Sequence, residues 1–188
     1  MREKINFYFF LTLLLISCST GSYSSLEESE LRSGIRYDSL FLGVKFGMTS
    51  SDFYSHCWDL NKQKLVSQGP SNNSVRYVIP TESIGQNIEM LFYPVFNKDT
   101  VYEVNSTYSY TAWAPWNEGT SSDFLMDEVK NILEDWYNSD FLSIENPKND
   151  DVLFVTVNGN RRITLTEISD REVRARFTDL SVEKKLKK

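Results

Sequence analysis

Glycine and proline are scarce, at 8 and 5 in 188 residues, which excludes collagen-like repeats and the Gly/Pro-rich composition of a disordered chain. There is a single histidine, His56, so no His-centred metal spacing can be drawn. Two cysteines, Cys18 and Cys57, are too few for a disulfide-stapled scaffold, and a domain of about 150 residues buries enough surface to need none. Positive charge is in deficit, 20 Lys+Arg against 26 Asp+Glu for a net −6, which argues against a nucleic-acid binder. A phosphate-cradling Gly-rich loop, a Gly-x-Ser-x-Gly elbow and a calcium loop are all missing, so no cofactor is expected.

The N-terminus carries the most specific signal. Arg2 and Lys4 precede an almost wholly apolar run, residues 5–16, too short for an ordinary membrane span but matched to the centre of a secretory signal peptide. Leu15-Ile16-Ser17-Cys18 follows, and it resembles the lipobox of bacterial lipoproteins. That resemblance implies a signal peptide over 1–17, acylation of the Cys18 thiol, cleavage before Cys18 and anchorage to a membrane through the lipid. Ser19 is similar to the residue that accompanies sorting to the outer membrane, which implies an outer-membrane lipoprotein, and the absence of an acidic run directly after Cys18 favours the periplasm-facing side over the cell surface. A lipidated Cys18 also leaves Cys57 without a disulfide partner.

Residues 18–36 then read as the lipidated cysteine and a flexible tether, with six serines over 19–36 and few large apolar side chains; a short helix over Leu26 to Arg32 is the alternative, with little to pack against. As a coil, the tether spans on the order of 25 Å. From Tyr37 the pattern is that of a folded domain, 37–182, closed by a basic tail over 183–188.

The domain contains an internal repeat. Thr49-Ser50-Ser51-Asp52-Phe53 recurs 71 positions on as Thr120-Ser121-Ser122-Asp123-Phe124. In each copy the Thr is placed to cap a helix, with the Asp three residues later reaching back. Phe53, Cys57 and Leu60 form one apolar stripe after the first cap, with the helix ending near Asn61. Leu125, Val129, Ile132, Leu133 and Trp136 form a longer one after the second, ending near Asn138. Strands are expected at 75–80, 88–96 and 101–113, and again at 152–157, 162–168 and 173–178. The expected fold is α+β: two tandem helix-plus-three-strand repeats, about 37–113 and 114–182, forming one antiparallel sheet with two helices on one face.

Residues 42–53, Leu-Gly-Val-Lys-Phe-Gly-Met-Thr-Ser-Ser-Asp-Phe, resemble the segment that opens repeats in envelope proteins with the β-lactamase-inhibitor-protein-like fold. That group includes the small lipoprotein of the outer-membrane β-barrel assembly machine. The resemblance implies the same helix-then-strands order and a function in binding other proteins through the exposed sheet and loops. The second copy departs from it, with Glu118-Gly119 where the first has Gly47-Met48, and no functional residue is carried over.

Catalytic constellations are weak. His56 and Cys57 are adjacent, so on a helix they point about 100° apart and cannot act as base and nucleophile. His56 and Asp52, four apart, are spaced to pair on the helix surface. The carboxylate pairs Asp127-Glu128, Glu134-Asp135 and Asp150-Asp151 are adjacent and diverge, as on a solvated face. The aromatics stand out instead. Tyr102, Tyr108 and Tyr110 share one strand face by alternation, and Trp113 and Trp116 follow in a loop. Tyr and Trp dominate protein-binding hot spots, so Tyr108, Tyr110, Trp113 and Trp116 are the candidate partner-binding residues. The expected function is that of a lipid-anchored envelope protein that binds a protein partner. A carbohydrate-binding accessory protein and an envelope hydrolase remain as alternatives.

Overall fold

The computed structural model describes residues 19–70, 74–81, 85–145 and 152–187. The segment 1–17, Cys18, the Asp150-Asp151 pair and Lys188 lie outside the described residues.

The chain runs α1 (Ser19–Ser33), α2 (Ser50–Lys62), β1 (Val66–Gln68), β2 (Val75–Ile79), β3 (Ile88–Asn97) and β4 (Thr100–Tyr110). After a 3-10 turn at Glu118–Thr120 come α3 (Ser122–Tyr137), β5 (Leu142–Glu145), β6 (Val152–Asn158), β7 (Arg161–Ser169), β8 (Glu172–Asp179) and α4 (Leu180–Leu186). Among the described residues the strands form one antiparallel eight-stranded sheet in the order β1-β2-β3-β4-β8-β7-β6-β5. The architecture is α+β. Each of α2 and α3 precedes four strands and not the three expected, because β1 and β5 are too short, at three and four residues, to carry a readable alternation.

α2 starts as the sequence predicts. Gly47 turns the chain at φ +82°, where a Cβ would be strained, and the Thr49 hydroxyl then accepts the Asp52 N–H at 3.1 Å. The second copy does not repeat this. Its N-cap is Ser121, one residue later, with no side-chain cap bond, because Thr120 closes the 3-10 turn and its hydroxyl donates to the Asn117 carbonyl at 2.8 Å. α3 ends at Asn138, whose left-handed backbone lets its N–H donate to the Glu134 carbonyl.

Phe53 of α2 and Leu125, Val129 and Leu133 of α3 belong to a single core cluster with one face of the sheet. That face runs in register: Met90 lies opposite Tyr108, Tyr108 opposite Val173, and Phe177 between Val104 and Ile163, all fully buried or nearly so. Phe41, from the turn before α2, packs edge-on against Phe92 and Phe177 with ring centroids at 4.9 and 5.2 Å. Burial of side chains of this size contributes about 1.5–3 kcal/mol each.

The stretch read as a flexible tether is helical. Tyr23, Leu26, Glu27, Glu30 and Leu31 fall at i, i+3, i+4, i+7 and i+8, one continuous stripe whose serine-rich flanks and two glutamates hide it from a hydropathy reading. Tyr23, Leu26 and Leu31 pack on Val155, Val157 and Leu180, a second and smaller core on the sheet face opposite α2 and α3. The glutamates supply polar clamps: Glu27 accepts from Tyr23 and pairs with Lys184 at 2.8 Å, and Glu30 accepts the Gly159 N–H at 2.7 Å. The basic tail is likewise a helix, capped by Asp179, whose carboxylate accepts the Ser181 N–H at 2.9 Å.

Candidate functional site

The loop over residues 111–121 links the last strand of the first half to α3. Its backbone bonds to itself: Asn117 N–H donates to the Ala114 carbonyl at 2.9 Å and Thr120 N–H to the Asn117 carbonyl at 3.0 Å. It is also fixed to the β7–β8 turn, since Ser122 N–H donates to the Asp170 carbonyl at 2.9 Å. Trp113 is half-buried, with the Arg171 guanidinium over its ring at 5.6 Å. Trp116 is 85% exposed. Beside them opens a groove of about 390 Å³ whose apolar floor includes Trp113, Pro115 and the exposed ring of Phe124. Its rim carries Glu118, Asp123 and Asp170.

Two of the four candidate aromatics fall elsewhere. Tyr108 is 0% exposed and Tyr110 4%, both inside the core under α3. Burial pushes the Tyr108 hydroxyl well above its ordinary pKa, and its oxygen has no hydrogen-bond partner among the described residues. Tyr110 donates to the Glu128 carboxylate at 2.9 Å. Alternation correctly groups these tyrosines but does not say which face is outward. Tyr102 leaves the set: a bulge opposite Val95 and Phe96 passes over it and turns Val101 into the core.

The catalytic candidates are not brought together. Burial raises the Cys57 thiol to about 11, the opposite of what a nucleophile needs. His56 does not pair with Asp52. Its Nε2–H donates to the Leu42 carbonyl at 2.6 Å, across the tight turn made by Gly43. The two carboxylate pairs among the described residues diverge as expected, with Glu128 on Tyr110 while Asp127 is exposed, and Glu134 accepting the Phe141 N–H at 3.1 Å while Asp135 is exposed. Among the described residues no group of three or more His, Cys, Asp or Glu is placed to hold a metal ion.

The structure adds surface residues that the sequence analysis passed over. Trp58 is 65% exposed on the outer face of α2, one turn after Tyr54, whose hydroxyl lies 2.6 Å from that of Tyr93. Both stand off the Phe53–Leu60 stripe, which was the available signal. Arg161 is buried, donating to the Ser39 carbonyl at 2.9 Å and stacked on the Tyr137 ring at 4.2 Å. On the sheet face that α2 and α3 leave open, Thr164 and Thr166 stand opposite Arg176 and Arg174.

No family model matches the chain, and no curated protein matches it. Among solved structures it is similar to a DUF4309 family protein, YjgB, from Bacillus subtilis subsp. subtilis str. 168, at 11% identity over 83% of this chain and 94% of that one, with a TM-score of 0.31. A likeness that distant carries no argument about function or fold. Among the described residues, no helix is long and apolar enough to cross a membrane.

Proposed function

We propose that this chain is a lipid-anchored binding protein of the bacterial cell envelope: residues 1–17 are a signal peptide, Cys18 is acylated in the outer membrane on its periplasmic side, and the folded domain holds a protein partner at the 111–121 loop. The carrying observation is Trp116, a large exposed aromatic side chain that stands between the groove residues Pro115 and Asn117 in a loop whose backbone is already ordered. Exposing an indole costs solvation, and holding it in a fixed frame lowers the entropy lost on binding. The carboxylates on the rim suit a partner segment that offers a cation beside an apolar side chain. Trp113 supports the floor, and Tyr108 and Tyr110 support the loop from within the core.

The domain is further proposed to be a tandem repeat. The sheet order supports this, since each half is a helix followed by a four-strand meander, and the halves meet through their last strands, β4 and β8.

The test is capture from detergent-solubilised envelopes with the native chain beside Trp116→Ala and Phe124→Ala. Both residues are exposed, so folding is retained; a partner held by the native chain and lost by both variants supports the reading. Equal capture by all three chains moves the interface off this groove. A carbohydrate ligand is the second reading, favoured by carboxylate acceptors next to indole rings, and a Trp fluorescence response to glycans but not to envelope protein would select it.

A further inference from the structure

On the sheet face opposite α2 and α3, β7 and β8 alternate two residue types. Arg162, Thr164 and Thr166 of β7 lie directly across from Thr178, Arg176 and Arg174 of β8, so guanidinium and hydroxyl groups form a chequered lattice. Side chains directly opposite on one face stand about 5 Å apart, close enough for several to reach one ligand group. With Tyr23, Leu153 and Val155, all of these β7 and β8 residues but Thr178 line a groove of about 370 Å³ between α1 and the sheet.

The cations are unequally committed. Arg162 is held by Glu183 at 3.0 Å and Glu27 at 3.8 Å. Arg176 is only loosely matched, 3.8 Å from Glu103. Arg174 has no hydrogen-bond or ion-pair partner among the described residues, and neither does Lys185 of the adjoining α4. In a chain of net charge −6, this face gathers Arg162, Arg174, Arg176, Lys184, Lys185 and Lys187 against Glu27, Glu30, Glu103, Glu172 and Glu183. Hydroxyls, two open guanidiniums and an apolar wall match a phosphate diester attached to a hydrocarbon chain.

Position selects the source of that phosphate. Tyr23 lies in the groove, and Ser19, where α1 begins, is one helical turn earlier, a rise of about 6 Å. Cys18 is the next residue back in sequence, so a lipid carried on it would be joined to the chain one residue before α1, the helix that walls the groove. A flexible tether would have set no such link. We infer that the Thr164/Thr166/Arg174/Arg176 groove is a headgroup site for an anionic phospholipid, which docks the domain against the bilayer with α1 and α4 toward the surface. This rests on the acylated-Cys18 reading for the choice of ligand, but the site is testable apart from it.

The experiment uses the full chain in non-ionic detergent, titrated by calorimetry with dihexanoylphosphatidylglycerol, dihexanoylphosphatidylcholine and inorganic phosphate, with Cys18 acylation read from the intact mass. Saturable binding of the glycerol lipid, much weaker binding of the choline lipid, whose trimethylammonium offsets the charge of the same phosphate diester, and much weaker binding of inorganic phosphate is expected. Arginine near an anionic headgroup contributes about fivefold each, so Arg174→Gln with Arg176→Gln weakens binding about twenty-five-fold, and Arg174→Lys with Arg176→Lys restores most of it. Thermal melts matching the native chain check that the exposed substitutions leave the fold intact. Phosphate binding as tightly as the lipid, equal binding of both lipids, or a glutamine variant that binds like the native chain overturns the inference. An unacylated chain that still selects the anionic lipid upholds the site and removes the anchor reading; an acylated chain that does not select it does the reverse.

Discussion

Beneath α2 and α3 the sheet presents Ile88, Met90, Phe92, Val104, Tyr108, Ile163, Leu165, Val173, Ala175 and Phe177, all excluded from water. The residues between them on the same strands, Asn105, Thr107, Thr164, Thr166, Arg174 and Arg176, stay at least partly exposed, and α1 and α4 cover only part of that face, over β5, β6 and the Arg162 end of β7. One face is thus fixed by volume and the other by charge and hydrogen bonding. The difference teaches that substitutions on the same strand, one residue apart, should have effects of different size and kind.

The largest contrast lies between neighbours on β8. Phe177→Ala empties a site packed by Phe41 and Tyr137 and should cost about 3–5 kcal/mol in denaturant unfolding, whereas Arg176→Gln, one residue away and exposed, should stay within about 0.5 kcal/mol. Next in size is the seam that holds α1. Gly159 has φ +53°, and a Cβ there would drive into the Ile35 carbonyl, so Gly159→Ala should cost about 1–3 kcal/mol and speed hydrogen exchange in α1 before the sheet.

A pH titration sharpens the comparison further. Burial raises Glu27 and Glu183, but Lys184 and Tyr23 around the first, Lys187 and Arg162 around the second, outweigh it, and both carboxyls sit below their ordinary value. Carboxyls with lowered folded pKa contribute stability above the unfolded value of about 4.3 and lose it as the pH falls through the folded one. α1 should therefore loosen below about pH 4 while the core under α2 and α3 holds, which hydrogen exchange at two pH values would resolve. The smallest effect is expected at Trp116→Ala, within about 0.5 kcal/mol, with loss of one part of the tryptophan fluorescence accessible to iodide while the exposed Trp58 and Trp136 keep theirs.

What the sequence made legible follows the same division. α2, α3 and six strands were readable because caps, apolar stripes and turn residues agree with the covered face, as with Thr49, Phe53 and Asn138. β1 and β5 were not, since three or four residues carry no period. α1 was not, because a helix with glutamates inside its buried stripe is stable only once Arg162, Lys184 and Gly159 are in place, and none of these is near in sequence. At the candidate site, the loop that carries Trp113 and Trp116 was legible from its place beyond the strand, but the exposure of either indole was not, since it depends on what packs beside the loop. The inward turn of Tyr108 and Tyr110 depended on which neighbour strand supplied the opposing side chains, Val173 for one and Ile88 for the other.

The two shortest strands sit at the two ends of the sheet. β1 offers three residues and β5 four, so a second copy approaching edge-on finds few unpaired backbone groups to extend a ladder. For a chain anchored to a membrane as proposed above, where encounters are frequent and orientations restricted, that truncation would be a safeguard against polymerisation. It leaves side chains, rather than main-chain hydrogen bonds, to decide what the domain binds.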